Sequence, residues 1–143
     1  MASFEEAIAA ALTVRDDLRQ YVADRVYDTV LPDFTDQAER LPAITFQVLN
    51  RDDQPHFVGY SPEYPIDVQV DVWAATAAAR RTVAAVVRLA MKDWTGSWGG
   101  LTVRRAFKVS DFDGMEPRDD GGPLPTYRNT QRWTVWVRQA PGV

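Results

Sequence analysis

The chain has 143 residues with 20 acidic against 16 basic side chains, a formal net charge of -4, and no cysteine. A sequence of this length, 45% hydrophobic and 25% charged, is expected to form one globular domain over residues 1–143 whose core needs no covalent staples. The missing cysteines exclude disulfide frameworks, thiolate catalysis, iron–sulfur clusters and cysteine-bearing zinc sites, and a single histidine, His56, excludes multi-histidine metal centres.

Ser3 and Glu6 have the spacing of a capping box, which predicts a helix start. Phe4, Ala7, Ile8, Ala11, Leu12, Leu18 and Val22 then keep a 3.6-residue period, so one amphipathic helix is expected from Ser3 to Ala23. Arg25-Val26-Tyr27 is short and β-prone, and Pro32, Asp33 and Asp36 mark a surface loop after it. In Ala43 to Val48, Ile44, Phe46 and Val48 alternate with other positions as a half-buried strand requires. A second strand, Ile66 to Trp73, turns Ile66, Val68, Val70 and Val72 to one face and Asp67, Gln69, Asp71 and Trp73 to the other. Asn50 to Tyr64, with Pro55, Gly59 and Pro62, reads as a long loop between these two paired strands. Thr76 is the expected N-cap of another helix with the stripe Val83, Val86, Val87, Ala90 and Trp94, ending near Gly96. Gly99-Gly100 turns the chain into a strand from Leu101 to Val109, with Leu101, Val103, Phe107 and Val109 on one face. After a second long loop, Ser110 to Thr126, the last strand turns Trp133, Val135 and Val137 inward and Arg128, Arg132, Trp136 and Arg138 outward.

This order predicts an α+β two-layer sandwich: two amphipathic helices on one face of a mainly antiparallel sheet of four to five strands, with the other face open. No apolar run approaches the ~20 residues of a membrane span, and Glu5 and Glu6 stand where a signal peptide would carry lysines. A soluble, non-secreted protein with no membrane contact is expected.

No constellation points to catalysis. Asp67 and Asp71 share a strand face but lie four residues apart, about 13 Å, too far to share a proton or clasp one metal. They are expected instead to form cross-strand charge pairs with Arg104, Arg128 and Arg132. The run Asp111-Phe112-Asp113-Gly114-Met115-Glu116 has oxygen ligands but not the spacing of a calcium loop, and reads as an acidic surface loop. His56 has no nucleophile at a diagnostic spacing, and no phosphate-cradling loop or serine elbow is present. Neither a cofactor nor a metal is expected. The negative net charge disfavours general nucleic-acid binding. An open sheet face carrying Leu49, Trp73 and Trp136 among charges is too apolar to stay in water, so another subunit is expected to cover part of it.

The order of these segments carries a resemblance. An amphipathic N-terminal helix, Arg25-Val26-Tyr27, Leu41-Pro42-Ala43-Ile44-Thr45-Phe46-Gln47, then Val68-Gln69-Val70-Asp71-Val72-Trp73-Ala74 leading into a helix, Gly99-Gly100, and the closing Trp133-Thr134-Val135-Trp136-Val137 together resemble the tail terminator proteins of long-tailed phages and phage-like particles. These are also called tail completion or head–tail joining proteins. The resemblance covers nearly the whole chain and rests on order, spacing and length rather than on any single motif. It implies a structural, non-enzymatic virion protein at the head-proximal end of the tail, assembled in the host cytoplasm. Such a protein forms a homo-hexameric ring at the neck, caps the tail tube protein, and meets the head connector or head-completion protein. DNA would pass through the ring without sequence-specific binding. Candidate interface residues are Asp52, Asp53, His56, Phe57 and Tyr60 in the first long loop, Asp113 and Met115 in the second, and Trp73, Arg104, Arg128, Arg132 and Trp136 on the sheet. The alternatives are another neck or tail-tube component and a small α+β protein-binding module.

Overall fold

The computed structural model describes residues 3–29, 41–51, 63–98, 101–116 and 126–139. The described elements are α1 (Phe4–Val14), α2 (Asp16–Val22), β1 (Val26–Asp28), β2 (Ala43–Arg51), β3 (Glu63–Ala74), α3 (Ala77–Lys92), β4 (Gly96–Trp98), β5 (Leu101–Glu116) and β6 (Thr126–Gln139). The strands form one six-stranded sheet in the order β1-β2-β3-β6-β5-β4. β1 runs parallel to β2, and every other pair is antiparallel. The α+β class and the antiparallel character are as expected, but among the described residues there are three helices rather than two, six strands rather than four to five, and one parallel edge pair.

The expected long first helix is two. Ser3 caps α1 by accepting from the Glu6 amide, and Phe4, Ala7, Ile8 and Leu12 are buried. At the far end Thr13 Oγ1 bonds back to the Ala9 and Ala10 carbonyls, a contact that bends helices. Arg15 then takes an extended backbone (φ -72, ψ 121) and opens α2, whose first turn carries Asp16 and Asp17. Two carboxylates are stabilising at a helix N-terminus and unfavourable in a helix middle, which explains the break. Leu18 and Val22 keep the apolar stripe in phase across it, so the periodicity alone did not reveal the break. At the end of α2, Arg25 donates to the Tyr21 and Pro42 carbonyls, tying the helix to the start of β2.

α3 begins at the Thr76 cap, where Oγ1 accepts from the Ala79 amide, and buries Val83, Ala84, Val87, Ala90 and Met91. The helices cover one face of the sheet. Ile44 and Phe46 of β2, Ile66 to Val72 of β3 at alternate positions, and Trp133, Val135 and Val137 of β6 meet them as one apolar cluster. Phe4 and Trp94 close its end with ring centroids 5.6 Å apart. Burying each such side chain fully is worth about 1.5–3 kcal/mol, so this cluster is the main source of stability.

β5 departs most from expectation. It continues to Glu116, so Asp111 to Glu116 is strand and not loop, and β2 and β3 likewise extend to Arg51 and from Glu63. Two register shifts against β6, between Val103 and Arg105 and between Lys108 and Ser110, each insert a residue. A one-residue insertion exchanges the faces of everything after it. Leu101 and Val103 are therefore buried as expected, whereas Phe107 is 51% and Val109 66% exposed. The strand persists through the acidic run because β6 supplies a backbone partner for each residue from Asp111 to Glu116.

Candidate functional site

The sheet offers two polar surfaces. On the helix side, β6 continues its inward stripe from Val137, Val135 and Trp133 into Gln131 and Asn129, both fully buried. Trp133 Nε1 donates to Gln131 Oε1 (3.1 Å), while Gln131 Nε2 donates to the Ala84 carbonyl of α3 (3.1 Å) and to Asn129 Oδ1 (2.9 Å). Asn129 Nδ2 in turn donates to Asp111 and Asp113, at 2.8 Å each. Arg88 of α3 holds Asp111 through two nitrogens, and Lys108 adds a third cationic contact. Arg80, about two helical turns earlier, donates to the Gly114 carbonyl (2.9 Å), lies 3.7 Å from Asp113, and covers the Tyr127 ring at 5.4 Å. The Arg88 guanidinium, helped by Asn129 and Lys108, holds the Asp111 carboxyl well below the usual carboxylate range against the opposing effect of burial. The network fixes the outer half of the β5–β6 hairpin against α3.

On the open face, Arg128 lies 5.3 Å over the Trp73 ring, and Trp73 Nε1 donates to Thr45 (3.0 Å). Arg105 sits between Phe107 and Trp136, 5.4 and 5.7 Å from their ring centres. Phe107, Phe112 and Arg132 are exposed beside them. Asp67 accepts from Thr134 (2.8 Å), and Asp71, 7% exposed, accepts from Thr130 and from Gln69. These hydroxyls and amides replace the expected cross-strand arginine pairs; Arg104, standing at the first bulge, pairs with Glu63 instead (3.0 Å). Threonines directly opposite the aspartates reach them without ordering long side chains.

Of the expected interface residues, Trp73, Arg128, Arg132 and Trp136 share the open face and Arg104 stands at its edge. Asp113 belongs to the network with Arg80 on the helix side, and Met115, 60% exposed, lies near the end of β5. Asp52, Asp53, His56, Phe57 and Tyr60 lie outside the described residues. The sequence reading missed Arg105 and Phe107, which the first bulge turns outward, Phe112, which it assigned to a loop, and the Asp111–Asn129–Gln131 network. The signal for the network was present: Asn129 and Gln131 are in phase with the inward stripe of β6.

A hollow of about 320 Å³ lies between α1, the end of α3 and β4, lined by Ala7, Ala11, Ala90, Trp94 and Val103 with Arg15 and Asp93 at 4.0 Å from each other. Its wall is mainly apolar, with Thr95 and Ser97 also on it. Among the described residues no group of three or more His, Asp or Glu side chains is placed to hold a metal ion, and no helix is long and apolar enough to cross a membrane.

No curated protein matches the chain. Among solved structures it is similar to a chain of a structure described as the virion of a native gene transfer agent particle, with a TM-score of 0.68 and 15% identity over 95% of both chains. That likeness is one of fold. The family described as Tail completion protein gp17 matches residues 6–139, which contains every described strand and nearly all of the helical layer. The chain belongs to the tail completion protein gp17 family.

Proposed function

We propose that the protein is a structural virion subunit that closes the head-proximal end of a phage or phage-like tail. In this reading six copies form a ring on the completed tail tube, stop its elongation, and present a surface to the head connector or head-completion protein. The role is one of shape and assembly rather than catalysis. The observation that carries it is the family match over residues 6–139. The likeness of fold to a chain of a phage-like particle and an open sheet face rich in tryptophan and arginine agree with it. An acidic chain also suits a ring through which DNA slides, because a wall without strong positive charge does not trap phosphates.

The proposed contacts are the segment with Asp52, Asp53, His56, Phe57 and Tyr60, the hairpin positions Asp113 and Met115, and the face with Trp73, Arg104, Arg128, Arg132 and Trp136. Deleting the gene tests the reading: particles should carry tails of uncontrolled length and unattached filled heads. Electron microscopy of labelled protein should place it at the head-proximal end. Label along the whole tube would make it a tube subunit, and label on heads alone a head-completion protein.

A further inference from the structure

The α1–α2–β1 end of the fold and the β5–β6 pair carry opposite charge. Residues 3–29, which make α1, α2 and β1, hold six acids against three bases. β5 and β6 hold six bases against three acids. Asp24 and Asp28, at the β1 end, are both exposed. On β5 and β6, Arg105 and Arg132 stand on the open face among Phe107, Phe112 and Trp136. Among the described residues β4 covers only Leu101 to Val103 of β5, so no described strand pairs with the outer side of the next thirteen residues, 104–116. A long strand edge beside exposed aromatic and arginine side chains is built to be covered.

β1 and β5 are four strand steps apart in the order of the sheet, about 19 Å at ~4.8 Å per step, so the two surfaces cannot meet within one molecule. Joining two copies patch to patch would set the arginines of one against the arginines of the other, an unfavourable juxtaposition. The arrangement that satisfies both surfaces is head-to-tail, the basic open-face surface of one copy against the acidic α2–β1 end of the next. Contacts of that kind propagate in one direction and close into a ring when the rotation per step allows.

We infer that the Arg105–Phe107–Phe112–Arg132–Trp136 surface is the docking site for a second copy of this chain, which presents its α2–β1 end with Asp24 and Asp28. This inference rests on the ring reading above and adds to it the surfaces that join the subunits. It predicts a ring that forms at low ionic strength and weakens as salt rises.

The test uses two full-length variants, R105E/R132E and D24R/D28R, with native mass spectrometry of each alone and of their mixture at low salt. Each variant alone should lose the ring and run as monomer, because its altered surface now repels the partner surface. The equimolar mixture should regain the ring with alternating subunits, since every contact in it again joins opposite charges. That recovery also shows that both variants are folded. A ring from either variant alone overturns the inference while leaving the ring reading intact. Wild-type protein that stays monomeric both free and on isolated tail tubes overturns both. A short labelled DNA strand bound by wild type and released by R105E/R132E, with that variant's ring unchanged, would make the surface a nucleic-acid site and also overturn the inference.

Discussion

Arg88 on α3 and Asp111 on β5, twenty-three positions apart in the chain, form a two-pronged ion pair in which Nε and Nη2 of the guanidinium engage both oxygens of the carboxylate. The aspartate is the more enclosed partner, its side chain 15% exposed against 36% for the arginine. Removing it strands Arg88, Lys108 and one amide hydrogen of Asn129 together, whereas removing the arginine leaves the carboxylate two other donors. Asp111→Ala should therefore destabilise by about 2–3 kcal/mol and Arg88→Ala by about 1–2 kcal/mol, read from urea unfolding. Equal costs for the two would contradict this ordering.

The same carboxylate makes stability depend on acid. Its folded pKa is depressed, chiefly by the Arg88 hydrogen bond, so its contribution is fully present above the unfolded carboxyl's range near about pH 4. It is lost progressively as pH falls below that range toward the folded value. Asp111→Asn keeps the shape without the charge. The gap in melting temperature between wild type and Asp111→Asn should be widest near neutral pH and shrink as pH is lowered to about 3. A gap unchanged across that window would mean that the ion pair carries none of the stability.

Gln131 is fully buried and serves three neighbours: it accepts from Trp133 and donates to Asn129 and to the Ala84 carbonyl. Gln131→Leu retains volume but leaves the indole N–H without its acceptor, at a cost of about 1–3 kcal/mol. Trp133→Phe removes that orphan donor. The double variant should be less destabilised than the sum of the two single ones, a coupling that a denaturant cycle over the four proteins measures. Strict additivity would show that the hydrogen bond is energetically idle.

Thr76 closes the first turn of the sixteen-residue α3, its hydroxyl 3.1 Å from the Ala79 amide. Thr76→Ala should cost about 1 kcal/mol, and Thr76→Ser should recover most of it. Amide exchange at Ala79 and Arg80 should quicken in the alanine variant alone. Equal exchange in all three proteins would assign the stability of that turn to packing.

Trp136 lies on the open face, half-buried under Arg105. Trp136→Ala should alter the monomer's stability by no more than about 1 kcal/mol, the scale of a stacked guanidinium. In the ring proposed above its effect on assembly should be much larger, read as a loss of ring mass at concentrations where wild type is fully assembled. An unaffected ring would remove Trp136 from the interface.

Much of this architecture is legible in the sequence. Ile44–Phe46, the Ile66–Val72 stripe and the Trp133–Val137 stripe alternate cleanly because the helices on one side leave the other side polar, and period-two patterning records that arrangement. Thr76 and Ser3 are caps because they precede apolar periodicity with a free hydroxyl. What escaped was non-local. The bulges in β5 depend on pairing with β6, and no residue of Val103-Arg104-Arg105 announces an insertion. Asp111 and Asp113 look like loop residues until Asn129, Arg80 and Arg88 arrive from distant segments to receive them. The separateness of α2 was hidden because the break at Arg15 preserves the phase of the apolar stripe.

The polar docking of the outer β5–β6 hairpin onto α3 gives the two halves of the sheet different responses to their surroundings. Where valines and isoleucines meet the helices, opening exposes apolar surface and carries the large heat-capacity change that makes it sensitive to temperature. Where Arg80, Arg88 and Asn129 meet Asp111 and Asp113, opening exposes mainly charges and amides, with little heat-capacity change. The hairpin end should therefore be the part that rising salt or falling pH loosens first, ahead of the apolar remainder of the sheet.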